Sequence, residues 1–145
     1  MPSYTVQKVQ SEQALKDAHH VRTAVFVNEQ KVPAELEIDE FEQDCDHFVV
    51  YEGIQPVAAG RLRPVSPSVG KVERICVLPS HRGKGLGEQV MKTIEEEARA
   101  QGLKTLVLHA QEQVIGFYEN LGYELASAER FEEAGIMHVK MKKEL

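Results

Sequence analysis

Arg82-Gly83-Lys84-Gly85-Leu86-Gly87 separates the apolar run Ile75-Cys76-Val77-Leu78 from a long amphipathic stretch, 88–100. The order is strand, glycine-rich turn, helix. Three alternating glycines cost conformational entropy that a plain connecting turn has no reason to spend. They bare the backbone N–H groups where the helix starts and bring the cations of Arg82 and Lys84 to the same point. A site of this kind binds an anion, most naturally a phosphate or pyrophosphate.

The flanks agree with that order. The helix after the turn places Val90, Met91, Ile94 and Ala98 on one face, turns Glu95, Glu96, Glu97 and Arg99 outward, and has Gly102 at its C′ position. Residues 71–78 read as a strand that Pro79 ends, and 104–109 as a strand with the apolar centre Leu106-Val107-Leu108. Nearer the start, 4–9 alternates as a short strand. Ser11 is an N-cap for a helix carrying Ala14, Leu15, Ala18, Val21 and Val25, which runs to about Val27 or Gln30 and is limited by Pro33. Strands at 47–51 and 57–62 adjoin through Gly53-Ile54-Gln55-Pro56. A short helix at 112–120 precedes a terminal hairpin, 123–131 and 136–142, around Glu132-Glu133-Ala134-Gly135. Strands precede, separate and follow the two later helices, which predicts a mixed sheet rather than a doubly wound one.

Bulk properties narrow the function classes. The 145 residues read as one domain, 1–145, with one core, and 42% hydrophobic with 28% charged content is ordinary for a soluble protein. No apolar run approaches the roughly 20 residues of a membrane span. Met1-Pro2-Ser3-Tyr4 leads into strand-like sequence without the features of a secretory signal, so the expected location is cytoplasmic. Cys45 and Cys76 lack CxxC spacing and read as reduced thiols. A net charge of −6 disfavours nucleic acid. The histidines show no metal-ligand spacing beyond Asp44-x-Asp46-His47, so no metal is expected.

Three phosphate-binding spacings can be tested on the turn. A Rossmann site needs G-x-G-x-x-G and an acid about 20 residues on; here the spacing is G-x-G-x-G, and the next strand ends Leu108-His109-Ala110. A P-loop needs G-x-x-x-x-G-K-[ST], and no Gly-Lys-Ser or Gly-Lys-Thr occurs in the chain; Lys92-Thr93 and Lys104-Thr105 follow no glycine. Arg-x-x-Gly-x-Gly, formed by Arg82, Gly85 and Gly87, does fit. It resembles the acyl-CoA pyrophosphate loop of the GNAT N-acetyltransferase superfamily. Val72-Glu73-Arg74-Ile75-Cys76-Val77-Leu78-Pro79 resembles the preceding GNAT strand, and Gly116-Phe117-Tyr118-Glu119-Asn120-Leu121-Gly122-Tyr123 the family's tyrosine-bearing second motif. Arg22-x-x-Val25-Phe26-Val27-x-Glu29-Gln30, with Glu37-x-Asp39 and His47, is similar to the ElaA/YjcF-like branch.

The resemblance implies an α/β (α+β) GNAT fold: a single mixed, largely antiparallel sheet of six to seven strands flanked by about four helices. Its two splayed parallel strands, 71–78 and 104–109, would hold acetyl-CoA. Main-chain groups of Ile75, Cys76 and Val77 would pair with the pantetheine arm. The N–H groups of Arg82, Gly83, Lys84, Gly85, Leu86 and Gly87 would take the pyrophosphate. Tyr118 would hydrogen-bond or protonate the departing thiolate. Glu73 is the candidate base for deprotonating the amine, against a plain salt bridge to Arg74. Strand alternation puts Glu73, Ile75 and Val77 on one face and Arg74, Cys76 and Leu78 on the other, an assignment that a bulge would change. Direct transfer needs no acyl-enzyme, so Cys76 is not expected to act as a nucleophile.

Arg22, Glu29, Gln30, His109 and Gln111 are candidates for the acceptor side, with capping, salt-bridge and structural hydrogen-bond roles as their alternatives. The acidic run 35–46 would draw in a cationic amine if it borders that side, and is otherwise a solvated loop. The expected partner is a small-molecule amine, with no nucleic acid and no membrane, and the chain is a monomer or homodimer. The rivals are a non-catalytic acyl-CoA-binding or sensing domain, for which Tyr118 and Glu73 would be superfluous, and a nucleotide-binding module.

Overall fold

Ser11 caps the first helix through its side chain, which accepts from the Ala14 N–H at 3.1 Å. In the computed structural model, which describes residues 3–145, this helix is α1 (Glu12–Arg22). Met1 and Pro2, part of the Met1–Tyr4 segment whose reading bears on location, lie outside the described residues. The chain stays helical through Thr23–Glu29, but with π pitch, ending where the Gln30 N–H bonds the Val25 carbonyl. The expected helix therefore has the right length and a wider second half. Such π segments recur at functional sites.

A short α2 (Ala34–Glu37) follows, and the strands β1 (Tyr4–Lys8), β2 (Asp46–Glu52), β3 (Gln55–Pro64) and β4 (Val69–Val77) pair in sequence order, each antiparallel to the last. The glycine turn leads into α3 (Leu86–Ala100), then β5 (Thr105–Gln111) and α4 (Ile115–Asn120). The long final strand β8 (Ile136–Glu144) pairs with β5, and the short β6 (Glu124–Leu125) and β7 (Phe131–Glu133) pair with β8. Among the described residues the sheet has eight strands rather than six to seven, because the strand expected at 123–131 divides into β6 and β7. Ala134 and Gly135, both at positive φ, make the β7–β8 turn. Among the described residues no helix is long and apolar enough to cross a membrane.

Helices cover both faces. Val90, Met91, Ile94 and Ala98 of α3 are fully buried on one face, as their spacing predicts, against Phe48, Leu62, Val72 and Leu108. Ala18, Val21 and Val25 pack on the other face, against Val49, Ala59 and Cys76. Gly102, at φ 81°, ends α3 in the left-handed conformation that its sequence position predicts.

Among the described residues one strand pair is parallel, and it creates the candidate site. β4 and β5 are in register from Val69/Thr105 to Val72/Leu108, and there the pairing stops. β4 continues to Val77 and β5 to Gln111, so the two strands diverge as a fork. β4 also bulges within this free segment. Glu73 pairs with Arg61 and Cys76 with Ala59, leaving Arg74 and Ile75 opposite Gly60 alone, with Arg74 at φ 61°. Gly60 is needed there, because a Cβ would stand 2.6 Å from Ile75 Cδ1. The bulge corrects the expected alternation. Glu73 and Cys76 share the α1 face, whereas Ile75 and Val77 pack toward α3.

Candidate active site

The fork opens into a cleft of about 940 Å³, lined by residues 71–77 of β4, by Leu108, His109 and Gln111 of β5, by the glycine turn, and by Phe117 and Tyr118 of α4. Along residues 73–77, the β4 edge facing β5 has no strand partner among the described residues. Backbone polar groups so placed are a template for an extended ligand.

At one end of this edge lies the turn. Gly83 and Gly85 have φ of 79° and 76°, the left-handed region where an L side chain is strained. Among the described residues no side chain caps α3, so the N–H groups of its first turn are left for a ligand. A Cβ on Gly87 would approach Phe117 Cζ to 3.2 Å, so this glycine sets how closely α3 and α4 meet. Arg82, Gly83, Gly85, Leu86 and Gly87 all line the cleft; Lys84 is exposed and does not. Unpartnered N–H groups, left-handed glycines and an open cleft together fit a pyrophosphate attached to an extended arm.

Tyr118 lines the cleft with 8% of its surface exposed, edge-on to Phe117 at 4.9 Å and to Tyr123 at 5.9 Å. Burial, with Cys76 nearby, pushes its phenol well above the ordinary range, so it remains a neutral donor. Phe117 lines the cleft beside it, so neither aromatic of α4 is purely a core residue. Burial pushes the Cys76 thiol up to about 12, which leaves it protonated and a poor nucleophile.

The acetyltransferase (GNAT) domain family matches residues 2–145 by its sequence pattern. The chain belongs to the GNAT acetyltransferase family. It is 49% identical to YjcF of Bacillus subtilis, described as an uncharacterized N-acetyltransferase, over 92% of this chain and 95% of that one. Among solved structures, it is similar to a Lactobacillus plantarum protein named as a candidate N-acetyltransferase, with TM-score 0.91, 29% identity and 99% of each chain covered. Escherichia coli ElaA matches with TM-score 0.83 and 27% identity, again over 99% of each chain. The resemblance to an ElaA/YjcF-like branch of GNAT proteins holds in both sequence and fold.

Within the GNAT frame the residues expected on the acceptor side divide. Glu29, Gln30, His109 and Gln111 line the cleft, and Gln111 donates to Gln30 Oε1 at 2.9 Å, joining β5 to the end of the π segment. Arg22 does not line it. Its guanidinium is 1% exposed and donates to both Glu37 carboxylate oxygens at 2.9–3.1 Å and to Glu42. Arg61, fully buried, donates to Asp39, Glu42 and Glu73, and Arg74 donates to Glu37 and Asp39 at 2.8 and 3.1 Å. The carboxylates of Glu37, Asp39 and Glu42 are thus turned inward onto arginines. The acidic run is neither a solvated loop throughout nor a bare electrostatic lure.

Glu73 also belongs to this network. It lines the cleft, yet its Oε1 accepts from Arg61 and from Arg63 at 3.1 Å, and Lys71 Nζ lies 3.5 Å from Oε2. The salt-bridge partners are therefore Arg61, Arg63 and Lys71 rather than Arg74. Burial works to raise its carboxyl, but the bond from Arg63 and the charges of Arg61 and Lys71 outweigh that and hold it below the ordinary range. Sequence reasoning missed the arginines of β3, whose only signal is the alternation Arg61-Leu62-Arg63.

Arg82 is engaged as well. Its guanidinium donates to both Glu29 oxygens at 2.8 and 2.6 Å and, through Nε, to the Val77 carbonyl at 3.0 Å. The pair is exposed, at 44% and 39%, and pairs of that kind are worth roughly 0.2–1 kcal/mol. If Glu29 competes with a bound anion for Arg82, Glu29→Gln should tighten coenzyme A binding by no more than about fivefold. Titration calorimetry checks this; weaker binding would instead make Glu29 part of the binding surface.

Proposed function

We propose that this chain transfers an acetyl group directly from acetyl-CoA to the primary amine of a small molecule. The observation that carries this is the unpaired β4 edge, residues 73–77, running into the glycine cradle at the start of α3. Ile75, Cys76 and Val77 would offer main-chain groups to the pantetheine arm. The N–H groups of residues 82–87 would hold the pyrophosphate, with the positive end of α3 behind them. Arg82 and Lys84 add charge, Arg82 after exchanging or sharing Glu29.

Acetyl-CoA supplies an activated acyl carbon, and the protein supplies alignment and proton management. A backbone N–H of Cys76 or Val77 polarises the carbonyl oxygen. Tyr118, kept neutral by burial, donates to the sulfur as the C–S bond breaks. Its raised pKa means that the phenol keeps its proton at working pH and meets the developing negative charge as a neutral donor. Glu73 is a fixed negative charge beside the fork that attracts an alkylammonium. Because three cations hold it ionised, it is a weak base, so proton removal is assigned elsewhere below. The expected location remains the cytoplasm.

A non-catalytic acyl-CoA-binding domain would keep the cradle without needing a neutral phenol within the cleft. Thiol release from acetyl-CoA across a panel of amines separates the two: amine-dependent release supports transfer, whereas binding without release for every amine supports the sensor. In the same assay, Gly85→Val should abolish saturation. A left-handed L residue costs about 1–2 kcal/mol, and the isopropyl group would stand where phosphate oxygens approach. A KM for acetyl-CoA equal to that of wild type would remove the pyrophosphate from this turn.

A further inference from the structure

His109 stands one residue beyond the last β4–β5 pair on β5, as Glu73 does on β4. Both alternate with core residues, Leu108 and Val72, and therefore face the α1 side of the fork. The β7–β8 hairpin brings Glu133 to this point. His109 Nδ1 lies 3.1 Å from Glu133 Oε2, and Phe131 packs edge-on to the imidazole at 4.9 Å. The bond from His109 holds the Glu133 carboxyl below its ordinary range, so this carboxylate only accepts. In the neutral imidazole the shared proton then sits on Nδ1 and the lone pair on Nε2. Among the described residues Nε2 makes no hydrogen bond, and both His109 and Glu133 line the cleft.

We propose that His109, fixed in tautomer and orientation by Glu133, is the proton acceptor that activates the amine, an assignment that rests on the transferase reading above. His109 Nε2 takes one proton from the alkylammonium. The freed nitrogen lone pair forms the bond to the acetyl carbon, the C–S bond breaks, and its electron pair leaves on sulfur. Tyr118 passes its proton to that sulfur and regains one from the new amide nitrogen. The imidazolium returns its proton to water at the cleft mouth, where the His109 side chain is 29% exposed. The products are an acetamide, a thiol and one proton.

The neighbouring charges leave this role to His109. Glu73 and Lys71 on β4 are paired with each other and, through Glu73, with Arg61 and Arg63. Lys140 is opposite His109 on β8 and is exposed, while His138 gives its Nδ1 to the Ile136 carbonyl and stacks on Phe131. From the α1 side, Glu29 is held by Arg82, and Glu37 by Arg22 and Arg74. The remaining imidazole lines the cleft with a ring nitrogen that no other group among the described residues occupies, and histidine is the most frequent general base.

The test uses His109→Gln, Glu133→Gln and Glu73→Gln in the full chain. Nitrogen-15 NMR of the imidazole, without acetyl-CoA, should show the Nδ1-protonated tautomer in wild type and a mixture in Glu133→Gln. His109→Gln should lower kcat by roughly 10²–10⁴ and lose the acidic limb of kcat/KM, with the melting shift given by acetyl-CoA unchanged. Glu133→Gln, on an exposed hairpin, should lose roughly tenfold or more through the wrong tautomer, and Glu73→Gln should keep the limb. An Nε2-protonated imidazole in wild type overturns the proposal, as does a His109→Gln enzyme with wild-type kcat and limb while acetyl-CoA still binds. If wild type itself gains no stability from acetyl-CoA, the transferase reading fails and takes the proposal with it.

Discussion

Tyr118→Phe should lower kcat by roughly 10²-fold or more while leaving acetyl-CoA affinity nearly unchanged. The substitution removes one oxygen and keeps the ring, so its edge-on contacts with Phe117 and Tyr123 survive. No charge is lost either, because burial already keeps the phenol protonated. What disappears is the donor proposed to face the sulfur when negative charge develops there, and donors aimed at developing charge are felt in kcat rather than in binding. Steady-state kinetics with calorimetric binding of acetyl-CoA checks both halves. Equal losses in kcat and affinity would make Tyr118 a packing residue. Since the acid form is the active one and its pKa is raised, no alkaline loss of rate should arise from Tyr118 below about pH 10.

Arg61→Ala should destabilise the fold by roughly 3–5 kcal/mol, the usual result of removing one partner from a buried ionic cluster. The guanidinium is fully buried and is shared by Asp39, Glu42 and Glu73, which would be left facing one another. That is a large share of the 5–15 kcal/mol by which domains are usually stable. The sign of its pH dependence follows from the carboxyls. All three are held below their ordinary range, so their pairing contributes stability above the unfolded values near pH 4 and loses it as pH falls through the folded values. The difference between wild type and variant should therefore be greatest near neutral pH and shrink in acid, where protonation relieves the variant's repulsion. Urea unfolding at pH 7 and pH 4 measures it. A difference below about 1 kcal/mol, or one that grows in acid, would make the network a surface feature.

The strand, glycine turn and helix were legible in sequence because each rests on local chemistry: an apolar run, positions that need positive φ, and a 3.6-residue pattern in 88–100. Ser11 and Gly102 were legible as caps for the same reason. The bulge at Arg74 was not, because it arises from the register of β4 on β3, a pairing no local pattern encodes. For that reason Glu73 and Ile75 were expected on one face and lie on opposite ones. The division of 123–131 into β6 and β7 likewise depends on how the segment meets β8. Arg61 and Glu133 went unnoticed since their partners are distant in sequence: Arg61 reaches 22 residues back to Asp39, and Glu133 reaches 24 back to His109. Charge runs carry composition but not direction, so the acidic segment looked outward when three of its carboxylates turn in.

Amide hydrogen exchange with and without acetyl-CoA tests the central claim most directly. The unpaired edge of β4 should become a paired one when the pantetheine arm lies in the fork. Exchange should slow at residues 73–77 and 82–87, with β1 and β2 unaffected. Unchanged exchange at residues 73–77 under saturating acetyl-CoA would contradict the account, and so would protection confined to another surface.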